Sequence, residues 1–148
     1  PTLIGLLAAS NSLFNIIGQQ VWGRLNDRSG PRLVMLITGL AIPLIPVGYG
    51  IVLNPWFLLG VEAVSGLAWS GYSLASFNLM LGLTPAESRA RYTAIYQATV
   101  FGASFVGPLL GSLLVSLIDI RPLFFISAVG RLLASLLFIA TVRGNEER

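Results

Sequence analysis

The run Pro122–Val142, PLFFISAVGRLLASLLFIATV, decides the fold class. It carries one charge, Arg131, in a stretch as long as the roughly 20 apolar residues that a bilayer-crossing helix needs. Four more runs outward from it read the same way: Thr2–Trp22, Leu33–Leu53, Trp56–Leu81 and Thr93–Leu117. Trp56–Leu81 is long enough to cross at a tilt. The whole chain has 148 residues, 55% hydrophobic and 10% charged. A soluble domain carries roughly 25% charged residues, so a soluble monomer is excluded. Disorder is excluded too, because it needs low hydrophobicity. The expected fold is an all-α integral membrane protein with five transmembrane helices. Residues 1–148 form one transmembrane domain that closes on a short tail at 143–148.

The nine basic residues are all arginine and the net charge is +3. The high pI does not point to nucleic acid, because no basic face is gathered. No Cys and no His are present. Thiolate chemistry, His-based acid–base catalysis and metal sites built on those ligands are therefore excluded. No cofactor is expected, and the lipid bilayer is the first partner.

Arginine placement sets the orientation. Arg24, Arg28 and Arg32 lie in the first connection, Arg89 and Arg91 in the third, and Arg143 and Arg148 in the tail. The opposite side holds Leu53-Asn54-Pro55 and a single Arg121. The Arg-rich side is expected to be cytoplasmic, with the C-terminus inside the plasma (inner) membrane. An odd number of spans starting outside implies at least one further span before Pro1. The connections are short, so sequence neighbours are expected to pack as antiparallel neighbours.

The first connection reads Gly23-Arg24-Leu25-Asn26-Asp27-Arg28-Ser29-Gly30-Pro31-Arg32. Gly23 and Gly30 suit a tight turn with φ > 0, and Asp27 can accept hydrogen bonds from arginines or a helix N-terminus. In the fourth span, Ala103, Gly107 and Gly111 fall four apart and make a smooth stripe for close helix approach. Pro108 removes one helix hydrogen bond and should bend that span. Gly39, Pro43, Pro46, Gly48 and Gly50 suggest bending of the second span.

These two segments resemble motifs of the major facilitator superfamily. The first is similar to the loop G-x-L-a-D-R-x-G-R-[KR], matched at Gly23, Leu25, Asp27, Arg28, Gly30 and Arg32. Asn26 and Pro31 depart from it. The second, Gly102 to Gly111 with Gly107-Pro108, resembles the G-P-x-x-G helix motif three spans later. The resemblance implies a gating loop at Gly23, Asp27, Arg28, Gly30 and Arg32. It also implies helix packing between two transporter halves at Gly102, Gly107, Pro108 and Gly111. Glu62 stands where the family's fourth helix usually has Arg. The chain therefore resembles helices eight to twelve of a C-terminal half, in a drug-efflux-like member, with the N-terminal half as its missing partner.

Two ionisable groups lie inside the spans, and such groups are functional candidates by default. At 1.5 Å per residue, Glu62 and Arg131 sit about 10 and about 13 Å below the outer ends of their spans. A buried Glu62–Arg131 ion pair is geometrically allowed, and a proton-coupling role for Glu62 stands beside it. Asn11, Asn15 and Gln19 share one face of the first span. Lipid cannot satisfy amides, so that face either lines a cavity or bonds to another helix. Trp69 and Tyr72 follow at helical spacing on the third span, and Gln97 lies on the fourth. These six residues are the candidate substrate pathway, although aromatics at this spacing also serve plain packing. Trp22 and Trp56 read as interface anchors.

Together these features imply a secondary active transporter of a small-molecule substrate, working by alternating access. Proton-coupled antiport and efflux of hydrophobic compounds fit an aromatic and amide-lined path with one acid. A membrane enzyme lacks parts here: no nucleophile–base pair, metal cluster or carboxylate pair lies in the spans. A non-transporting scaffold or receptor of the same fold is the alternative.

Overall fold

The computed structural model describes residues 2–52 and 54–142. Arg143 and Arg148 of the basic tail, and Leu53 of the outer turn, lie outside the described residues. Among the described residues every regular element is helical. The main helices are α1 (Thr2–Ser29), α2 (Pro31–Ala41), α3 (Leu44–Ile51), α4 (Leu58–Leu83), α5 (Arg89–Val115) and α6 (Ile120–Thr141). Short 3-10 turns at Pro55–Phe57 and Ala86–Ser88 lead into α4 and α5. Asn54 starts the first of these turns, its side-chain oxygen accepting from the Trp56 backbone N–H at 3.1 Å.

The first connection differs from expectation. The chain does not leave the helix at Trp22. Gly23 is helical, and α1 runs on through Arg24, Asp27 and Arg28 to Ser29. Leucine and arginine are good helix formers, and their summed propensity outweighs the roughly 1 kcal/mol that one helical glycine costs. Gly30 alone breaks the path, with φ 82, and α2 starts at the next residue. That φ favours a residue without a Cβ.

The second apolar run breaks where its prolines suggest. α2 ends at Ala41, Ile42 and Pro43 form a turn, and α3 resumes at Leu44. Pro43 has no N–H to donate back into the preceding turn. Pro108, by contrast, sits inside an uninterrupted α5.

Three stretches are long and apolar enough to cross a membrane on their own: Pro31–Ile51, Ala86–Val115 and Ile120–Thr141. α1 and α4 are long enough, with 28 and 26 residues, but more polar. α1 carries Asn11, Asn15, Gln19 and Gln20, and α4 carries Glu62, Asn78 and a series of serines. These two helices share the most extensive interface in the molecule. Pairing them gives Ser10, Asn11 and Trp22 of α1 hydrogen-bond partners on α4, which lipid does not offer. The antiparallel-neighbour expectation is thus only partly met: α1 packs mainly on α4, and α3 mainly on α6.

The core lies where α1, α2, α3 and α4 meet. Val34, Thr38 and Ala75 are fully buried, and Ile42, Ile45 and Ala68 form an apolar cluster beside them. Trp22 is partly buried against this core. Its indole N–H donates to the Leu67 carbonyl at 2.8 Å, because α1 continues well past it. α5 is the opposite case. It has no buried residue, and Phe101 and Phe105 remain 70% and 72% exposed.

Candidate functional site

Four of the six residues expected along a substrate pathway converge on one open cleft. Asn15 and Gln19 enter from α1, Trp69 from α4 and Gln97 from α5. The cleft holds about 570 Å³ and is completed by Ser73, Phe77 and Tyr96, among others. Helical spacing does the positioning: Asn15 and Gln19 are one turn apart, and Gln19 donates to the Asn15 side-chain oxygen at 3.1 Å. Tyr96 closes one part of it, its hydroxyl 2.8 Å from Ser76 Oγ and its ring 6.1 Å from Phe77. Such a wall has hydrogen-bonding groups at fixed points and aromatic surface between them, the usual make-up of a small-molecule site.

Tyr72 does not line that cleft. Its ring stands edge-on to Trp69, with centroids 5.9 Å apart. It lines a separate pocket of about 120 Å³ between α2, α4 and α6, together with Trp69 and Arg131. Trp69 is therefore a shared wall between the two cavities.

Asn11 also leaves the pathway. Its amide donates to Glu62 Oε2 at 2.7 Å, and the Tyr49 hydroxyl donates to Glu62 Oε1. Glu62 thus ties α1, α3 and α4 together. The Glu62–Arg131 ion pair expected from their similar depths does not form among the described residues. Equal depth fixed the height of each group but not its direction. Glu62 turns toward α1 and α3, while the Arg131 guanidinium lies over the Trp69 ring, 5.7 Å from its centroid.

Sequence reasoning missed Tyr49, Tyr96 and Ser135. Tyr49 sits between Gly48 and Gly50, where a side chain at either glycine would collide with Val61 or press on Phe125. Two flanking glycines around one tyrosine were the available signal for close approach there. Ser135 donates to the Gly39 carbonyl at 2.7 Å and pins α6 to α2.

The expected gating residues stand apart from both cavities. Asp27 and Arg28 are exposed at the end of α1. Arg32 is partly buried, and its Nε, like Asn26 Oδ1, is buried without a hydrogen-bond partner. The glycines of the fourth span behave unlike those of α1 and α4. No described residue comes within 4 Å of the position a Cβ would take at Gly102, Gly107 or Gly111. Pro108 is likewise exposed. The stripe is present on α5 but nothing in the described residues packs on it.

An all-α chain with long apolar helices, two of them joined by amide, indole and hydroxyl hydrogen bonds beside a lined cleft, has the make-up of an integral membrane protein. The chain belongs to the Major Facilitator Superfamily, whose model matches residues 1–148. That is a family of membrane transporters, not of enzymes. Among curated proteins, it is 31% identical over 126 residues to the multidrug resistance protein MdtG of Dickeya zeae, covering 84% of this chain and 30% of that protein. It is 29% identical over 124 residues to MdtG of Proteus mirabilis, covering 84% and 31%. It is 29% identical over 143 residues to MdtG of Salmonella arizonae, covering 95% and 35%. The chain thus spans about a third of the length of these curated relatives.

Proposed function

We propose that this chain is part of a secondary active transporter that exports small hydrophobic compounds across a bacterial inner membrane by alternating access. The observation that carries the proposal is the cleft in which Asn15, Gln19, Trp69 and Gln97 meet from three helices. The multidrug resistance relatives support efflux as its direction. In this reading the five apolar runs are five spans of a C-terminal half, with the C-terminus cytoplasmic. The rest of the transporter supplies the facing wall of the cleft and packs against α5 at Gly102, Gly107, Pro108 and Gly111. The residues Gly23, Asp27, Arg28, Gly30 and Arg32 then form the cytoplasmic gate.

Glu62 is the candidate for proton coupling. Its hydrogen-bond partners, Asn11 and Tyr49, are both neutral.

The test uses the full-length protein containing this chain, reconstituted in vesicles with an imposed proton gradient and a hydrophobic fluorescent dye. Trp69→Ala should lower dye flux about tenfold, equivalent to about 1.4 kcal/mol. Glu62→Gln should abolish gradient-driven flux while leaving dye exchange in place. A folded, monodisperse wild-type protein that moves no dye would overturn the export reading.

A further inference from the structure

We propose that the pocket between α2, α4 and α6 is a separate anion-binding site for a small aromatic carboxylate, held by Arg131, Tyr72 and Trp69. Arg131 is partly buried in the middle of the apolar α6, and its guanidinium contacts the Trp69 ring at 5.7 Å. Among the described residues it makes no ion pair and no side-chain hydrogen bond. A cation at this depth is costly unless an anion or acceptor meets it. Cation–π contact offsets part of this cost, but none of the guanidinium's five N–H donors has a hydrogen-bond acceptor among the described residues. Those donors form a fork whose geometry matches a carboxylate.

The remaining wall fits the same ligand. The Tyr72 ring forms part of it, and the Ser135 proton is committed to the carbonyls of Gly39 and Arg131, at 2.7 and 3.0 Å, so Arg131 supplies the donors. Apart from these groups the lining is apolar, from Met35, Leu36, Ile42 and Phe138 among others. At about 120 Å³ the pocket is close in size to the roughly 150 Å³ apolar cavity that holds a benzene ring. One ring with one carboxylate is the ligand this volume fits. The proposal does not depend on the export reading, because binding is measured without flux.

The experiment compares benzoate, benzamide and benzylammonium as ligands for the full-length protein in phosphatidylcholine nanodiscs, read by saturation-transfer NMR. Benzoate should bind at least about tenfold tighter than either of the other two, which share its ring. Arg131→Gln should erase that preference, and Arg131→Lys should keep part of it. Thermal unfolding of each variant checks that it is folded. The wild-type series alone is decisive if Arg131→Gln does not fold. Equal binding of benzoate and benzamide, or a preference that survives Arg131→Gln, would overturn the proposal. So would a preference that vanishes when phosphatidylglycerol is added, since the occupant would then be a lipid headgroup. Dye flux that fails while the benzoate preference holds would overturn the export reading and leave this one standing.

Discussion

Gly66 on α4 and Gly107 on α5 sit in runs of similar composition, yet they occupy opposite environments. A Cβ at Gly66 would collide with the backbone carbonyl of Asn11 and come within 2.9 Å of the Asn15 backbone nitrogen. A Cβ at Gly107 would meet nothing within 4 Å. α1 and α4 approach so closely because glycine and serine stand at the crossing: Gly18 faces Ser70 and Leu67, and Gly71 faces Trp22 and Thr38. In a bilayer, lipid tails match the helices in polarity, so close van der Waals packing and interhelical hydrogen bonds hold such a pair. Here the bonds are Ser10 to the Leu59 carbonyl, Asn11 to Glu62 and Trp22 to the Leu67 carbonyl. A small-residue stripe therefore states how closely a partner can come. It does not state which partner, or whether that partner lies in the same stretch of chain.

This contrast can be broken or sharpened by substitution in the full-length protein. The largest effect is expected at Gly66→Leu. The obstacles there are backbone atoms, which cannot swing aside, so the cost should exceed the roughly 1–3 kcal/mol typical of overpacking. Loss of monodisperse protein on size exclusion would register it, and a normal yield with unchanged thermal unfolding would break the comparison. Gly18→Ala comes next, at about 1–3 kcal/mol, because its nearest obstacle is the Ser70 hydroxyl. Adding Ser70→Ala removes that atom, so the double variant should recover part of the lost unfolding temperature. Strict additivity would show that the two do not touch.

Trp22→Phe keeps the ring against Gly71 but deletes the N–H donor to Leu67. A loss of about 1 kcal/mol is expected from the missing bond and the carbonyl left behind, read as a lowered unfolding temperature. Gly107→Ala should be the mildest in this chain's own packing, within about 0.5 kcal/mol of wild type. If the rest of the transporter packs on α5, the same variant will slow dye flux with its unfolding temperature unchanged. A variant with wild-type flux would mean that the stripe faces lipid.

The helical class and the break at Pro43 could be read directly, because hydropathy and proline act locally. The shared face of Asn15 and Gln19 could be read too, since helical periodicity fixes it. What could not be read was direction between helices. Asn11 is one turn from Asn15, yet it serves Glu62 while Asn15 lines the cleft. Glu62 and Arg131 matched in depth and still turned to different partners. The end of α1 was missed for a related reason: Trp22 marks the end of an apolar run, but the helix does not end with the hydrophobicity and runs on to Ser29. At Tyr49 the flanking glycines signalled close approach but not the partner, which is the carboxylate that α4 brings to it.

Gly30 carries a consequence for how force travels through the molecule. Only one residue separates the last turn of α1 from the first turn of α2. Successive Cα atoms are fixed at about 3.8 Å, so this joint has rotation but no slack. If α1 slides or screws along its axis, the start of α2 is dragged with it at nearly full amplitude. The two helices work as crank and rod about a single glycine pin, and a longer, looser linker there would let one move while the other stayed still.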